Sequence, residues 1–543
     1  MNIFKNISNG YKKIATGIAI VSFLAVIYIA LIPGASLAFV YGPNGGVLSG
    51  AFVFIKEWPQ YNATTAPDGS YAINDVPVGD YTLVAMGNDS LAPNISSITV
   101  TEGNTNFHDL QLKSAINSYL PFLYQRQDNI YDAAIQVWNN GASDSSIEMI
   151  LYNKNGTLAG NDFKKVSPGK LISVHPFEIT GPLTLFNAAA KLKSDSNNLV
   201  QGYIYTVGEQ VYSIAPSYSE ASTANYLPFL YQRQDNIYDA GIQMYNPGTA
   251  TANVNVILYW KNGTVAANNN YVVDPKNQLT KLAFDMVIGE SIFNGPATIT
   301  SDLPIVVQGF IRTKASNIYS IAPALNVPVT EVYLPFLYQR QDNIYDAGVQ
   351  LFNSGTVPAN VNVVLYWKNG TVAANNNYVV DPKNQLTKMA FDMVIGESIF
   401  NGPVKITSDV PILVQGFIRT KAYNVYSIAP MVRKPASAGV IHIPFMYSTT
   451  NLSHDAGIQV FNPNGVPANV VETLYYPDGT LAGSANIAFA ANESITKMAF
   501  DIATNTINFN GYAIISADQP VVAQGFIRQK TKNIYSIAPP VER

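Results

Sequence analysis

The chain contains no cysteine in its 543 residues. It therefore has no thiol nucleophile, no cysteine ligands for zinc or an iron–sulfur cluster, and no disulfide scaffold. Charge is also scarce, because 13% of the residues are charged and ordinary domains have roughly a quarter. The formal net charge is −4 and no run of lysines or arginines occurs, which argues against nucleic acid as a partner.

Histidine and catalytic motifs are equally scarce. The four histidines are His108, His175, His442 and His454, and no two of them are three or four residues apart. A zinc site or a serine–histidine base needs a positioned imidazole, and the chain lacks a Gly-x-Ser-x-Gly elbow, a P-loop and a dinucleotide fingerprint. We therefore expect no catalytic residue, no metal and no cofactor, although two carboxylates could still converge in space as a glycosidase pair.

The N-terminal segment has the pattern of an export signal. Lys5, Lys12 and Lys13 precede an apolar run over residues 14–32, and small residues then lead to Ala38. A basic segment, an apolar segment and a small-x-Ala ending predict a signal peptide cleaved after Ala38. The apolar run is also long enough to cross a hydrocarbon layer of about 30 Å, so an uncleaved membrane anchor is the alternative. Both interpretations predict an extracellular or cell-surface location.

Internal repeats occupy the chain after residue 118. The segment YLPFLYQRQDNIYD at 119–132 returns almost letter for letter at 226–239 and 333–346, and a divergent fourth copy begins near Ile443. Each copy closes on Gln-Gly followed by Tyr or Phe, and then on a Tyr-Ser-Ile-Ala-Pro tail. The predicted domains are a leader at 1–38, a separate module at 39–113, and four repeats at 119–218, 226–325, 333–432 and 441–543.

The repeats have the period of β-strands. In repeat two, Val254, Val256 and Leu258 alternate with more polar residues, which predicts a strand with one buried face. The pair Asn262-Gly263 follows and predicts a type I′ hairpin turn. Further candidate strands lie at 226–231, 240–245, 271–273, 279–284, 297–301, 304–312 and 318–321. About seven short strands per repeat predict an immunoglobulin-like sandwich, so the fold expected is all-β, an extended row of β-sandwich domains after the N-terminal signal or anchor helix.

The module at 39–113 has different motifs. They are GGVLSGAFV at 45–53, TTAPDGSY at 64–71 and VPVGDYTL at 76–83. This segment resembles the carboxypeptidase regulatory-like family, and the resemblance implies a prealbumin-like sandwich of seven strands that serves secreted and surface proteins as a non-catalytic accessory. The four repeats resemble unnamed immunoglobulin-like repeats of bacterial and archaeal surface proteins.

Arginine is rare and marks the repeats. The chain has eight arginines, and three of them stand two residues before an aspartate in the opening signature: Arg126 with Asp128, Arg233 with Asp235, and Arg340 with Asp342. Three more follow the closing Gln-Gly-Phe: Arg312, Arg419 and Arg528. Repeat four lacks the opening pair and repeat one lacks the closing arginine. End repeats of an array are expected to lose an interface that they do not make.

This distribution suggests contacts between successive repeats. We expect Asp128 to pair with Arg312, Asp235 with Arg419, and Asp342 with Arg528, because the planar guanidinium binds a carboxylate bidentately. The alternative is that each arginine serves only its own domain. An Asp and a Gln persist in all four copies, and we expect them to form a buried hydrogen-bond network inside each sandwich. They are Asp132, Asp239, Asp346, Asp455, Gln136, Gln243, Gln350 and Gln459.

Two sets of residues flank the hairpin turn. Trp260 and Trp367 precede it and could stack on sugar rings, with packing inside the hairpin as the alternative. Asn155, Asn262 and Asn369 lie in the turn, in Asn-Gly-Thr sequons that could carry N-glycans. Repeat four has an aspartate there, which keeps the turn chemistry and cannot be glycosylated.

Together these features predict an exported cell-surface protein with a structural or adhesive role, such as a stalk, sheath or filament component or an adhesin. Low charge with abundant Tyr and Asn suits broad, weakly polar contact surfaces. The partners expected are other surface proteins, further copies of the chain or a polysaccharide, and the membrane only through residues 14–32 if the leader is retained. The alternative function is a secreted carbohydrate-binding protein or an accessory subunit of a polysaccharide-degrading system.

Overall fold

The computed structural model describes residues 38–540 except 105, 182, 236, 343, 452 and 504–507. The predicted leader lies outside the described residues, apart from Ala38. The described chain consists mainly of β-strands and forms two compact units that divide near residue 115. Across the described ranges, no helix is both long enough and apolar enough to cross a membrane.

The first unit is a sandwich of seven strands, as the family resemblance implies. The strands are β1 (Ala38–Tyr41), β2 (Phe52–Ile55), β3 (Asn62–Thr64), β4 (Ser70–Tyr71), β5 (Gly79–Met86), β6 (Asn94–Val100) and β7 (Leu110–Gln111). One sheet has the order β4-β1-β7 and the other β3-β2-β5-β6. Apolar side chains from both sheets, such as Val40, Val53 and Leu83, form the core. Ala38, which the predicted cleavage would remove, is buried at the start of β1.

The second unit holds the four repeats, each with eight strand segments and one short helix. Repeat one has β8 (Ile116–Arg126), β9 (Tyr131–Trp138), β10 (Ser145–Tyr152), β11 (Leu158–Val166), β12 (Leu171–Val174), α1 (Pro176–Thr180), β13 (Leu185–Ser194), β14 (Leu199–Thr206) and β15 (Val211–Pro216). Repeat two has β16 (Ser222–Arg233), β17 (Tyr238–Tyr245), β18 (Ala252–Tyr259), β19 (Val265–Val273), β20 (Gln278–Leu282), α2 (Ala283–Met286), β21 (Ile292–Thr313) and β22 (Ile318–Pro323).

Repeats three and four follow the same plan. Repeat three has β23 (Val329–Arg340), β24 (Tyr345–Phe352), β25 (Ala359–Tyr366), β26 (Val372–Val380), β27 (Gln385–Met389), α3 (Ala390–Met393), β28 (Ile399–Thr420) and β29 (Val425–Pro430). Repeat four has β30 (Val440–Thr449), β31 (His454–Phe461), β32 (Ala468–Tyr475), β33 (Leu481–Phe489), β34 (Ser494–Met498), α4 (Ala499–Ile502), β35 (Asn508–Ala517), β36 (Val522–Gln529) and β37 (Ile534–Ala538). Single 3₁₀ turns lie at Val207–Glu209 and Lys421–Tyr423.

Each repeat is a sandwich of two four-stranded antiparallel sheets. In repeat one the first sheet has the order β11-β10-β13-β8 and the second β12-β9-β14-β15. In repeats two and three the sixth and seventh segments are one long strand, β21 or β28, that pairs in both sheets. The predicted alternation in β18 is confirmed, because Val254, Val256 and Leu258 are buried between the two sheets.

Two local predictions need correction in repeat two. The predicted strand at 279–284 ends at Leu282, because the helix α2 begins there and Asp285 accepts a hydrogen bond from the Leu282 N–H at 3.0 Å. The predicted strands at 297–301 and 304–312 are both parts of β21.

The predicted type I′ turn is also wrong. Gly263 has φ of 81°, but Asn262 does not have a positive φ. The N–H of Gly263 donates to the carbonyl of Trp260 at 2.9 Å, which makes a type I turn followed by a left-handed glycine. The side chain of Asn262 decides this geometry, because its Oδ1 accepts hydrogen bonds from the N–H and the hydroxyl of Thr264.

The four repeats close into a ring. The serine of each Tyr-Ser-Ile-Ala-Pro tail donates a hydrogen bond to the carbonyl of the tail tyrosine in the next repeat. The pairs are Ser213 with Tyr319 (2.6 Å), Ser320 with Tyr426, Ser427 with Tyr535 (2.5 Å) and Ser536 with Tyr212. The last pair returns from repeat four to repeat one. The expectation of an extended row is therefore wrong, because the four tail strands converge and bury Val211, Ile318, Val425 and Ile534 in one cluster.

Candidate functional site

The interfaces between repeats contain most of the signature residues. At the interface between repeats two and three, Tyr426 in the tail of repeat three is surrounded by three rings from the opening signature of repeat two, those of Phe229, Tyr231 and Tyr238. The ring centroids of Tyr238 and Tyr426 are 5.5 Å apart. Such tilted aromatic pairs contribute about 0.5–1.5 kcal/mol beyond their burial. The opening signature and the tail therefore each supply half of an interface.

A closing-strand arginine lies beside these rings. Arg419 is 5.9 Å from the ring centroid of Tyr426 and pairs with Asp346 of its own repeat, while Lys421 binds the other oxygen of Asp346 at 3.1 Å. Burial alone would lower the pKa of Arg419, but Tyr426 and Asp346 outweigh it and raise the pKa. Burial raises the pKa of Tyr238 across the interface, and the charge of Arg419 opposes that rise. The equivalent ion pairs are Arg312 with Asp239 and Arg528 with Asp455.

The predicted pairs between opening aspartates and closing arginines are not formed among the described residues. Each opening aspartate instead pairs with the arginine two residues before it: Asp128 with Arg126, Asp235 with Arg233, and Asp342 with Arg340. The loop holds Asp128 in place, because its Oδ1 also accepts the Ile130 N–H at 3.2 Å. These loop pairs are about one-third or more exposed and contribute little stability. Arg312, Arg419 and Arg528 act on the preceding repeat through its tyrosines.

Repeat one lacks the closing arginine, and its Asp132 has another partner. Tyr205 stands at the arginine position. The Oδ1 of Asp132 lies 3.0 Å from Nδ1 of His175 and accepts a hydrogen bond from Gln125 at 2.8 Å. The hydrogen bond to Asp132 raises the pKa of His175 against the lowering effect of burial. No sequence signal links this pair, since the two residues are 43 positions apart and His175 has no equivalent in the other repeats.

The closing interface, which joins repeat four to repeat one, uses different residues in the same layer. His454 stands where the other repeats have a tyrosine, and its ring lies 5.6 Å from that of Tyr212. Its Nε2 is 2.8 Å from the carbonyl oxygen of Gln210, and burial lowers the pKa of His454. Lys532 of repeat four pairs with Glu209 of repeat one. Repeats one and four therefore lack some signature residues because their shared interface is built from different residues. No interface is lost.

A second aromatic contact lies in each interface. In the closing interface Trp138 stacks on Tyr512, with ring centroids 4.0 Å apart and an angle of 30° between planes. The other interfaces have a Tyr or Phe in place of Trp138, and the contacts are Tyr245 with Tyr152, Phe352 with Tyr259, and Phe461 with Tyr366. Sequence reasoning missed this contact because each ring is an ordinary strand residue within its own repeat.

The hairpin turn of each repeat also packs on the next repeat. The carbonyl of Lys261 accepts the Gln385 N–H at 3.0 Å, and the same bond joins Lys154 to Gln278, Lys368 to Ser494 and Pro477 to Leu171. The sequon residues Asn155, Asn262 and Asn369 lie in three of these turns with exposed side chains. Their Oδ1 atoms accept hydrogen bonds from the following threonine, as Asp478 does in repeat four. N-glycosylation there stays a prediction.

The two candidate sugar-stacking residues lie against the cores. The ring of Trp260 is half-buried, 5.6 Å from Phe293, and Trp367 has the same relation to Phe400. This is the packing given as the alternative, and sugar stacking at either residue stays a prediction. In the part of the chain that the structure describes, no group of three or more His, Asp or Glu side chains could hold a metal ion.

The persistent glutamines pair across the second sheet in three repeats. Nε2 of Gln308, Gln415 and Gln524 donates to Oε1 of Gln243, Gln350 and Gln459, at 3.0, 3.2 and 2.8 Å. In repeat one, Nε2 of Gln201 and Oε1 of Gln136 are buried without a partner. Repeat one therefore departs from the common core at this position.

Comparison with known proteins places the first unit in a family. Residues 38–113 match the carboxypeptidase regulatory-like domain. They form a carboxypeptidase regulatory-like domain. That family is non-catalytic, and the regulatory-like domain is followed here by a multidomain array of β-sandwich repeats.

No curated protein matches the chain. The matching solved structures include one of Streptomyces avermitilis α-L-rhamnosidase complexed with L-rhamnose, with 8% sequence identity and a TM-score of 0.11. The match covers 77% of this chain and 58% of that chain, so this chain spans less than two thirds of the rhamnosidase. A TM-score this low carries no argument about fold or function.

Proposed function

We propose that this chain is an exported cell-surface protein with a structural or adhesive role. The observation that supports it best is the cycle of serine–tyrosine hydrogen bonds that joins the four tails, from Ser213 through Ser536 back to Tyr212. The recurring signature residues are occupied in holding the repeats together. A ring with four packed interfaces suits a rigid body that spaces or presents a surface.

The N-terminal sequence supports the location. A basic, then apolar, then small-residue pattern is typical of export, and absence of cysteine removes any need for oxidative folding outside the cell. The carboxypeptidase regulatory-like domain is consistent with a non-catalytic accessory part. The carbohydrate-binding alternative rested on Trp260 and Trp367, whose rings pack on Phe293 and Phe400, so we favour the structural or adhesive role.

Imaging of intact and permeabilised cells with an antibody against the ring tests the location. We expect labelling of intact cells, together with an N-terminus of the isolated protein that begins after Ala38 or retains residues 14–32 in the membrane fraction. Labelling that appears only after permeabilisation would contradict the proposal. Retention of purified protein on insoluble polysaccharide, abolished by Trp260→Ala plus Trp367→Ala, would instead favour the accessory-subunit alternative.

A further inference from the structure

The last strand of the first sheet in repeat two lies open at the edge of that sheet. This strand is β19, and among the described residues it pairs only with β18. The other end of the sheet is β16, which is bridged to the end of the tail through Tyr226 and Leu325, so β19 lies on the outside of the ring. No residue from Val265 to Val272 is buried. In repeat three, β26 has the same place and the same exposure.

The backbone of β19 directs a row of hydrogen-bonding groups to this open edge. In β18 the N–H of Asn253 points away from β19, because it donates to Asp302 at 2.8 Å. Successive residues of an antiparallel strand bond to opposite sides, so Val256 bonds to its β19 partner Asn269. The alternate residues of β19 therefore point their N–H and C=O groups outward, and they are Asn268, Asn270 and Val272.

These two edges lack the protection that edge strands usually carry, such as charged residues or proline. The sequence VAANNNYVV at 265–273 returns unchanged at 372–380, and neither copy contains a charge, a proline or a glycine. The equivalent strand of repeat one, β11, contains Asp162, Lys164 and Lys165. In repeat four, β33 lacks the asparagine triplet and contains Gly483. Repeats two and three therefore have the edges that are best suited to accept a further strand.

The asparagine side chains at the edge are already oriented by the neighbouring strand. Oδ1 of Asn268 and Oδ1 of Asn270 accept hydrogen bonds from Nδ2 of Asn255 at 2.7 and 2.9 Å. Their own Nδ2 groups have no partner within the described part of the chain and are open to solvent. In repeat three, Asn362 orients Asn375 and Asn377 in the same way. Each edge therefore offers free amide donors beside its free backbone groups.

We propose that β19 and β26 bind a second copy of this chain by antiparallel strand pairing at these edges. The edge is self-complementary: with Asn268 opposite Asn270 of the second copy, the outward backbone groups of both residues bond to each other. The amide side chains then continue the row that begins at Asn255, as in asparagine ladders. A charged strand is disfavoured, because this edge offers no opposite charge to pair with it.

Pairing of this kind can continue beyond a dimer, because each ring has two such edges. An assembly of rings suits a sheath or filament component. The inference therefore deepens the proposed structural role and rests on it for its biological meaning. The strand pairing itself does not depend on where the protein resides.

Sedimentation of the full chain in a non-ionic detergent, which covers the apolar segment at 14–32, tests the pairing. We expect the mass to rise with concentration beyond that of one chain. Val272→Lys plus Val379→Lys copies Lys165 of repeat one at both edges and should weaken association at least about tenfold. Both valines are 62% exposed, so this variant should fold.

A matched control adds the same two charges elsewhere in repeats two and three. Ile288→Lys plus Ile395→Lys changes side chains that are 87% exposed and lie outside the strands, and it should leave association unchanged. A single-chain mass at every concentration, association that the edge charges do not weaken, or an equal loss in the control would overturn the proposal.

Amide hydrogen exchange locates the contact without any variant. We expect β19 and β26 to exchange more slowly in concentrated than in dilute solution, because their outward N–H groups become bonded. The charged edge strand β11 should show no such dependence. Exchange in β19 and β26 that does not change with concentration would overturn the proposal. Labelling of intact cells does not depend on these results, so the proposed location and the strand pairing can fail separately.

Discussion

At the scale of single residues, Glu472 stands out in the core of repeat four. It occupies the position of Val256 in repeat two and Val363 in repeat three, is fully buried, and neither carboxylate oxygen has a hydrogen-bond partner. Burial raises the pKa of Glu472 to about 8, although Lys497 acts in the opposite direction. The carboxyl is therefore held neutral near pH 7, and its ionisation opposes folding.

Glu472→Val should stabilise the ring, and the gain should grow with pH. Between the ordinary pKa of 4.5 and the folded value of about 8, the folded state keeps a proton that the unfolded state releases. The free energy of unfolding therefore falls by up to about 1.4 kcal/mol per pH unit in this window. The stability that protonated Glu472 contributes is fully present below the ordinary pKa of 4.5, and it is lost as the pH rises through the folded value of about 8. Urea unfolding at several pH values measures this slope.

The isosteric change Glu472→Gln separates charge from polarity. It should remove the same pH-dependent slope, because glutamine does not ionise, but it should gain less stability than valine since the amide stays unpaired in the core. An identical pH dependence in the unchanged protein and in both variants would mean that Glu472 is solvated.

At the scale of elements, the hairpin turn serves two repeats at once. Gly263 has φ of 81°, and a side chain there would come within 2.9 Å of the carbonyl oxygen of Pro382 in the next repeat. Gly289 has φ of 87° but nothing within 4 Å of an added Cβ. The two glycines therefore share the backbone requirement and differ in the contact across the interface.

Gly263→Ala should destabilise the protein more than Gly289→Ala. Left-handed backbone costs a non-glycine residue about 1–2 kcal/mol at either position, and steric conflict should add about 1–3 kcal/mol at Gly263. Denaturant unfolding of the two variants gives the difference directly. Equal losses would show that the turn does not pack against repeat three in solution.

The strands themselves could be predicted from local pattern, and the exceptions have local causes. The alternation of Val254, Val256 and Leu258 with polar residues predicts a strand with one buried face, and this prediction does not depend on how the rest of the chain folds. The turn type could not be predicted from Asn262-Gly263, because the hydrogen bonds from Thr264 to the asparagine side chain decide it. The partner of Asp235 was predicted across an interface, but Arg233 is closer along the same loop.

At the scale of the whole molecule, ring closure could not be predicted from the repeated signatures. Tyr205 and His454 replace signature residues in repeats one and four. The same replacements are expected if these end repeats make no contact with each other and if they meet through an interface built from different residues. The contacts that decide between them are long-range, such as Trp138 on Tyr512. Their rings carry no sequence pattern that links residues more than 370 positions apart.

The closing interface should weaken in acid more than the other three. Burial lowers the pKa of His454 from the ordinary 6.5, so the unfolded state takes up the proton first. The stability that the neutral imidazole of His454 contributes is fully present above pH 6.5. It is lost as the pH falls through the pKa that His454 has in the folded protein. Nearby charges are Asp455, Glu209 and Lys532. The pKa of His175 is instead raised by Asp132, so its contribution is retained in acid.

Amide hydrogen exchange measures this effect interface by interface. After correction for intrinsic rates, lowering the pH from about 7 to about 5 should increase exchange in β15 and β37 more than in β22. His454→Tyr, which copies the other repeats, should remove the difference. Uniform change across the four tails would contradict a role for His454.

A charge exchange at the closing interface tests whether the ring is closed by specific contacts. Lys532 and Glu209 form an ion pair between the last and first repeats, and both side chains are less than one-third exposed. Glu209→Lys sets two ammonium groups against each other and should cost about 1–3 kcal/mol, with faster amide exchange at the closing interface. The combined change Glu209→Lys and Lys532→Glu restores opposite charges and should recover most of that loss, because the rest of the interface is unchanged. Losses that simply add in the double variant would mean that Lys532 and Glu209 do not pair in solution, which would contradict this contact of the closing interface.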